Sequence, residues 1–303
     1  MANGTTTPDQ LVASAAASEP NWFRRHLPQP GSNGFLTLCS VVALLILWQV
    51  VSMLAGRTSV SNERYVPNVV DIAGAFNTLA YYWKGGLGVE ATTDGGAVTF
   101  AGAVLGLISN SLATMARLAI GMTLGFIVAG LAAGLICWSS FLRKIFLLPA
   151  NAARMLPLLA MSPLFGIWFG KSEVGATLFI AFATFAIIFV VALTAIDTVP
   201  GYYGQYARSL GAGKLRAYVT GVLPAALPGL RGGVMLALGF GWSMVIAAEF
   251  IGQDLGLGNI VNRAQEFGRT DTLGVLGIFI VAYAWVSYKL TAKAFDYITR
   301  WAE

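Results

Sequence analysis

The chain has 303 residues, 56% of them hydrophobic and only 11% charged, with a formal net charge of +5. Ordinary soluble domains carry roughly 25% charged residues, so this composition excludes a water-soluble protein and predicts an integral membrane protein. A single histidine, His26, excludes a histidine-based metal or catalytic cluster, and Cys39 and Cys137, both in apolar runs, give neither a disulfide framework nor a metal site. The basic residues are scattered between apolar runs rather than gathered on one face, so no nucleic-acid partner is expected.

Taken in order, residues 1–34 are rich in Ala, Ser, Thr, Pro and Asn and predict a disordered tail. The first apolar run, from about Phe35 to Leu54, begins too late and continues too long for a cleaved leader. After Pro67, the residues Val69, Ile72, Ala73, Phe76 and Leu79 recur on one face of a helix. They predict a short amphipathic helix at the membrane surface. The glycine-rich segment 84–102 predicts a flexible loop or small insertion. Further apolar runs fall at about Leu107–Trp138, Ile145–Phe169, Val174–Val199, Leu227–Ile251 and Thr272–Thr291. With the first they make six, at about 20 residues per crossing. Gly121, Gly125, Gly130 and Gly134 in the second run predict close helix packing in lipid. The expected organisation is a tail (1–34), a first span with surface helix and loop (35–106), a five-span core (107–295) and a terminal end (296–303).

Six spans place both termini on one side. Arg24, Arg25, Arg143, Lys144, Arg208, Lys214, Arg216, Lys289, Lys293 and Arg300 lie on that side, against Arg57, Arg64, Lys84, Lys171, Arg263 and Arg269 on the other. Excess Lys and Arg mark the cytoplasmic face, so the termini and the connection between spans four and five are expected there. That connection, Gln205–Pro224, is the polar, basic interruption of an otherwise apolar chain. Its first half reads as a short helix that Gly211 ends in a left-handed conformation. A second helical stretch starts at Lys214, and Pro224 and Pro228 mark entry into the next run.

Gly166–Ser172, GIWFGKS, is one residue too short between its glycines for a phosphate-cradling loop and lies on the outer side. With no other nucleotide-binding loop, metal cluster or Ser/His/Asp set, the chain is expected to have no catalytic residues and to bind no cofactor or metal. Arg117, Arg154 and Glu249 fall inside apolar runs, where ionisable groups are costly and usually face a bundle interior or an aqueous path. Two readings stay open: a positive path for anions, or arginines that reach the interface or pair with Glu249 or Asp197. Pro157 and Pro163 after Arg154 predict a bent or broken span of the kind that exposes backbone groups to a transported solute.

The stretch Gln205-Tyr206-Ala207, then Gly211, then Gly221-Val222-Leu223-Pro224 resembles the cytoplasmic signature of the inner-membrane permease subunits of bacterial ABC importers. Gln205, Tyr206 and Gly221 depart from the acid, alanine and aliphatic of that signature. Wording similar to the nitrate/sulfonate/taurine permease group recurs at Thr114–Gly121, Ala153–Pro163, Ile167–Gly170, Ala207–Gly213, Leu223–Gly229 and Ala247–Gly258. The resemblance covers about Leu107 to Trp301. It implies an all-α integral membrane permease of the type I importer fold in a bacterial inner membrane, working as a pair of identical copies. ATP and Mg would be bound by separate cytoplasmic ATPase subunits, and solute would be delivered by a periplasmic or lipid-anchored binding protein. Carried over, Gln205, Tyr206, Ala207, Arg208, Ser209, Leu210, Gly211 and Ala212 would form the ATPase-coupling element, and Arg117, Arg154, Pro157 and Glu249 the candidate path for a small anion. The alternatives are an ion-gradient-driven transporter and an ABC permease for an uncharged or cationic solute.

Overall fold

The computed structural model describes residues 33–57, 64–153 and 155–302. Every regular element among them is helical, as the apolar runs predict, because a helix satisfies its own backbone N–H and C=O groups in lipid. The chain divides into two compact units, Met1–Ala55 and Gly56–Glu303. The described element of the first is α1 (Asn33–Leu54), largely apolar and with most of its side chains exposed. The expected tail falls outside the described residues as far as residue 32.

The second unit carries α2 (Val69–Ala75), α3 (Phe100–Trp138), α4 (Ser140–Ala153), α5 (Ser162–Phe169), α6 (Glu173–Asp197), α7 (Tyr202–Ser209), α8 (Lys214–Phe250), α9 (Leu257–Glu266) and α10 (Thr270–Thr299). Among the described residues, α3, α6, α8 and α10 are long and apolar enough to cross a membrane, whereas 39–54 and 158–169 are apolar but shorter. The third apolar run is divided: α4 ends at Ala153, a 3₁₀ turn spans Leu158–Met161, and α5 follows. Pro157 accounts for the break, since it lacks an N–H and disfavours helical geometry in the residue before it, whereas Pro163 sits in the first turn of α5, where its missing N–H would have no helical partner.

The predicted surface helix is shorter and more deeply packed than its pattern implies. Asn68 and Asp71 form a reciprocal capping box that starts α2, but beyond Ala75 the chain tightens into a 3₁₀ turn, Phe76–Tyr82. With three residues per turn the faces shift. Leu79 is fully buried while Val69 is exposed, and the Phe76 ring lies 5.3 Å from Phe100 and 6.0 Å from Phe279. The loop that follows is folded back on itself: the Trp83 indole donates to the Val89 carbonyl at 3.0 Å and the Thr92 hydroxyl to the Ala80 carbonyl at 3.0 Å. Thr99 then caps α3 through the Gly102 N–H. The second apolar run therefore begins as helix at Phe100, not at Leu107.

The bundle is organised on the pair α3 and α6. A Cβ on Gly121 would lie 2.7 Å from Ile180 Cβ, and one on Gly125 2.7 Å from Thr184 Cβ. These two glycines let the helices approach closely, which is how helices associate where lipid supplies no hydrophobic drive. Gly130 faces open space and Gly134 meets only Leu223 at 3.8 Å, so the expected small-residue contact is made by half of the pattern. One apolar cluster, around Leu118, Phe179, Val245 and Leu257, surrounds the middle of α3. A second, around Ala133, Ile188, Leu230 and Ala237, lies toward its C-terminal end.

Candidate functional site

Two assemblies of polar residues stand out from this apolar bundle. The first is the finger between α6 and α8. Helix α7 ends as the glycine predicts: Gly211 has φ +87°, its N–H donates to the Arg208 carbonyl at 3.0 Å, and the Ala212 N–H donates to the Ala207 carbonyl at 3.1 Å. This paired bonding around a left-handed residue satisfies carbonyls that a helix end leaves free and fixes the direction of the outgoing chain. Gln205, Arg208, Ser209 and Gly211 are exposed, and Ala207 and Ala212 half-buried. Tyr202, Tyr206 and Leu210, at successive i, i+4 positions, form an exposed apolar stripe, Tyr206 and Leu210 being 71% and 79% exposed.

On the opposite side α7 leans on the start of α8, which opens with a helical turn Lys214–Ala217 and a π-helical turn Tyr218–Val222. A Cβ on Gly221 would lie 3.3 Å from the Tyr203 carbonyl oxygen, and one on Gly204 3.6 Å from Val222. The glycine where the signature has an aliphatic thus accommodates the backbone of α7, and the tyrosine where it has an alanine points away from that contact.

The second assembly is buried. Glu249, near the end of α8, has no exposed surface, and Arg117, on α3, is 4% exposed. Arg117 Nη1 donates to Glu249 Oε1 at 2.6 Å and to the Leu255 carbonyl at 2.7 Å. Its Nε and Nη2 form a bidentate pair with Glu173 at 2.6 and 2.5 Å. Glu173 opens α6 and its side chain is 65% exposed, so the second carboxylate keeps its hydration while the first exchanges water for donors. Glu249 is supplied by the Thr114 hydroxyl at 2.8 Å and the Gly258 N–H at 2.7 Å.

These bonds also cap α9. The Gly256 N–H donates to Asn110 Oδ1, the Leu257 N–H to Thr114 Oγ1 and the Gly258 N–H to Glu249 Oε2, each within 2.8 Å. Side chains from two other helices thus satisfy amides that α9 leaves free at its start, with a carboxylate at the positive end of its dipole. Gly256 has φ +132°, and a Cβ there would overlap the Glu249 carboxyl.

Of the candidate path residues, Arg117 and Glu249 are joined, Pro157 is exposed at the break before the Leu158 turn, and Arg154 lies outside the described residues. Asp197, the other acid considered for the arginines, instead holds Arg143 through two bonds of 2.8 and 2.6 Å. The sequence reading missed Asn110, Thr114, Glu173, Gly256 and Gly258. A signal was present, because an arginine in an apolar run requires acceptors and Glu173 and Glu249 are the acids at neighbouring helix ends. Among the described residues no group of His, Cys, Asp and Glu is placed to hold a metal ion.

Among the described residues the chain is a helical bundle with membrane-length helices and a glycine-stopped finger, the fold of ABC importer permeases. It superposes on a solved structure of the MetNI methionine ABC transporter in inward-facing conformations with a TM-score of 0.51 at 19% identity, covering 62% of this chain and 94% of that one. The family described as binding-protein-dependent transport system inner membrane component matches residues 121–302, and the chain belongs to it. It is 39% identical over 132 residues to the taurine transport system permease protein TauC of Escherichia coli (strain K12), covering 43% of this chain and 48% of TauC. The chain thus matches about half the length of that relative. It is 26% identical over 245 residues to the nitrate import permease protein NrtB of Synechococcus elongatus, covering 80% of this chain and 81% of NrtB. These relatives place it in the nitrate/sulfonate/taurine branch of ABC permeases.

Proposed function

We propose that the chain is the membrane-spanning subunit of an ABC importer for a small anion, moved by alternating access that ATP hydrolysis in partner subunits drives. In this reading six helices cross a bacterial inner membrane. Alpha1 and the broken α4–α5 segment supply the two crossings beyond α3, α6, α8 and α10. Both termini and the finger face the cytoplasm, two copies enclose the path, and a binding protein delivers solute from the other side. The observation that carries the reading is the stripe Tyr202, Tyr206 and Leu210 on a helix locked at Gly211. Exposed aromatic and aliphatic anchors on a rigid element fit a protein groove, and a rigid element transmits a partner's movement. Gln205, Arg208 and Ser209 form the polar rim of that contact.

Arg117 and Glu249 satisfy each other and the start of α9, so in this reading they brace the bundle beside the path. Glu173, bound to Arg117 yet exposed, is the member of the network within reach of solvent, and Pro157 belongs to the broken segment. The small-anion assignment follows the nitrate relative and the anionic sulfonate that taurine carries beside its ammonium group. The test is uptake of taurine, ethanesulfonate and nitrate by liposomes containing this chain with its ATPase and binding protein. Uptake of one of them only with internal ATP is expected. Uptake by the chain alone under an ion gradient would contradict the proposal.

A further inference from the structure

The finger is joined to α3 as well as to α8. The Tyr218 hydroxyl donates to the Gly134 carbonyl of α3 at 2.9 Å, and its ring lies 5.1 Å from that of Trp138, the last residue of α3. Lys214 Nζ sits 5.6 Å from the centre of the same indole, within cation–π range. Tyr218 also opens the π-helical turn on which α7 leans. One short segment therefore touches the finger on one side and the end of α3 on the other.

The two routes out of this joint differ mechanically. Along α8 the chain passes from the π-helical turn through Leu223–Ala226 and a 3₁₀ turn, Leu227–Leu230, before regular helix resumes at Arg231. Pro224 and Pro228 each remove a backbone donor there, and breaks of this kind are where helices bend. A push from the finger would be absorbed in that stretch. Alpha3 is a continuous helix of 39 residues without proline, locked to α6 at Gly121 and Gly125 and carrying Arg117 into the buried network.

We propose that Tyr218 and Trp138 are positioning residues that make α3 the helix receiving the finger's movement, with the proline-containing start of α8 as the flexible arm. The proposal rests on the reading of the finger as the ATPase-coupling element. It requires that loosening the joint separate hydrolysis from transport, a result that loss of folding does not give.

The test uses the liposome complex of this chain, its ATPase and its binding protein, and reads solute taken up per ATP hydrolysed, with taurine, ethanesulfonate or nitrate as the probe. Tyr218→Phe removes the hydroxyl alone, Trp138→Leu removes the ring, and Trp138→Phe restores an aromatic. With Tyr218→Phe/Trp138→Leu, stimulated hydrolysis should continue while uptake per ATP falls on the order of tenfold, and Trp138→Phe should recover part of it. The finger variant Tyr206→Asp/Leu210→Asp is run beside them. If it abolishes stimulation while the joint variant keeps the normal ratio, the joint is overturned and the finger stands. If neither variant changes anything, the finger reading fails and the joint with it. A joint variant that lowers hydrolysis and uptake in equal proportion shows a structural role only and also overturns the proposal.

Discussion

The Glu249 carboxylate accepts the Gly258 N–H at 2.7 Å, at a place where a side chain on residue 258 would collide with it. A Cβ there would lie 2.7 Å from the Ile246 carbonyl and 2.8 Å from Glu249 Cβ. The close approach of the two residues brings the start of α9 onto the end of α8, and the glycine makes that approach possible. Gly258→Ala is therefore expected to destabilise the protein by about 1–3 kcal/mol through overpacking. Gly232→Ala, on the same helix as Glu249 and with nothing within 4 Å of its Cβ, should be neutral. Thermal midpoints of the purified protein in detergent check this; equal midpoints would show that the network yields without cost.

Arg117 and its two acids should respond unequally. Removing the guanidinium in Arg117→Met strands Glu249 in a dry site, and breaking a buried pair in this way costs about 3–5 kcal/mol. Adding Glu249→Gln removes the stranded charge and should restore a large part of the loss. Glu173→Gln should cost less than about 1 kcal/mol, since that carboxylate is 65% exposed. Size-exclusion profiles and thermal midpoints of the three variants beside the parent give the comparison. A Glu173 effect as large as that of Arg117 would contradict the assignment.

The α3–α6 contact provides a further contrast within one helix. Gly125→Val should prevent folding or lower the midpoint strongly, because a Cβ there already meets the backbone and side chain of α6. Gly130→Val faces open space and should leave the midpoint near that of the parent. The yield of monodisperse protein separates the two.

Much of this arrangement was legible in the chain. Gly211 announced its left-handed turn because few other residues enter that conformation freely, and Pro157 and Pro163 announced the divided run. The start of α3 was not legible, because Phe100–Gly106 follows a glycine-rich loop and its helix rests on Thr99 and on packing against Phe76 and Leu79. The surface-helix pattern failed after Ala75, where a 3₁₀ turn changed the period. The Arg117–Glu249 pair is one of the readings the sequence leaves open, but Asn110, Thr114, Glu173, Gly256 and Gly258 escaped because they are spread along the chain and reach that pair only through helix packing. Gly256 and Gly258 look like turn glycines in the sequence, while their reason is the carboxylate above them.

The central claim is that the finger carries the ATPase's movement into the membrane through Tyr202, Tyr206 and Leu210. The most direct measurement is binding-protein-stimulated ATP hydrolysis by the reconstituted complex carrying Tyr206→Asp/Leu210→Asp. Both side chains are exposed, so the permease should fold and insert as before. The account predicts that the variant permease retains its thermal midpoint but loses association with the ATPase and the stimulation of hydrolysis. Full stimulation and normal uptake by a folded Tyr206→Asp/Leu210→Asp variant would contradict it.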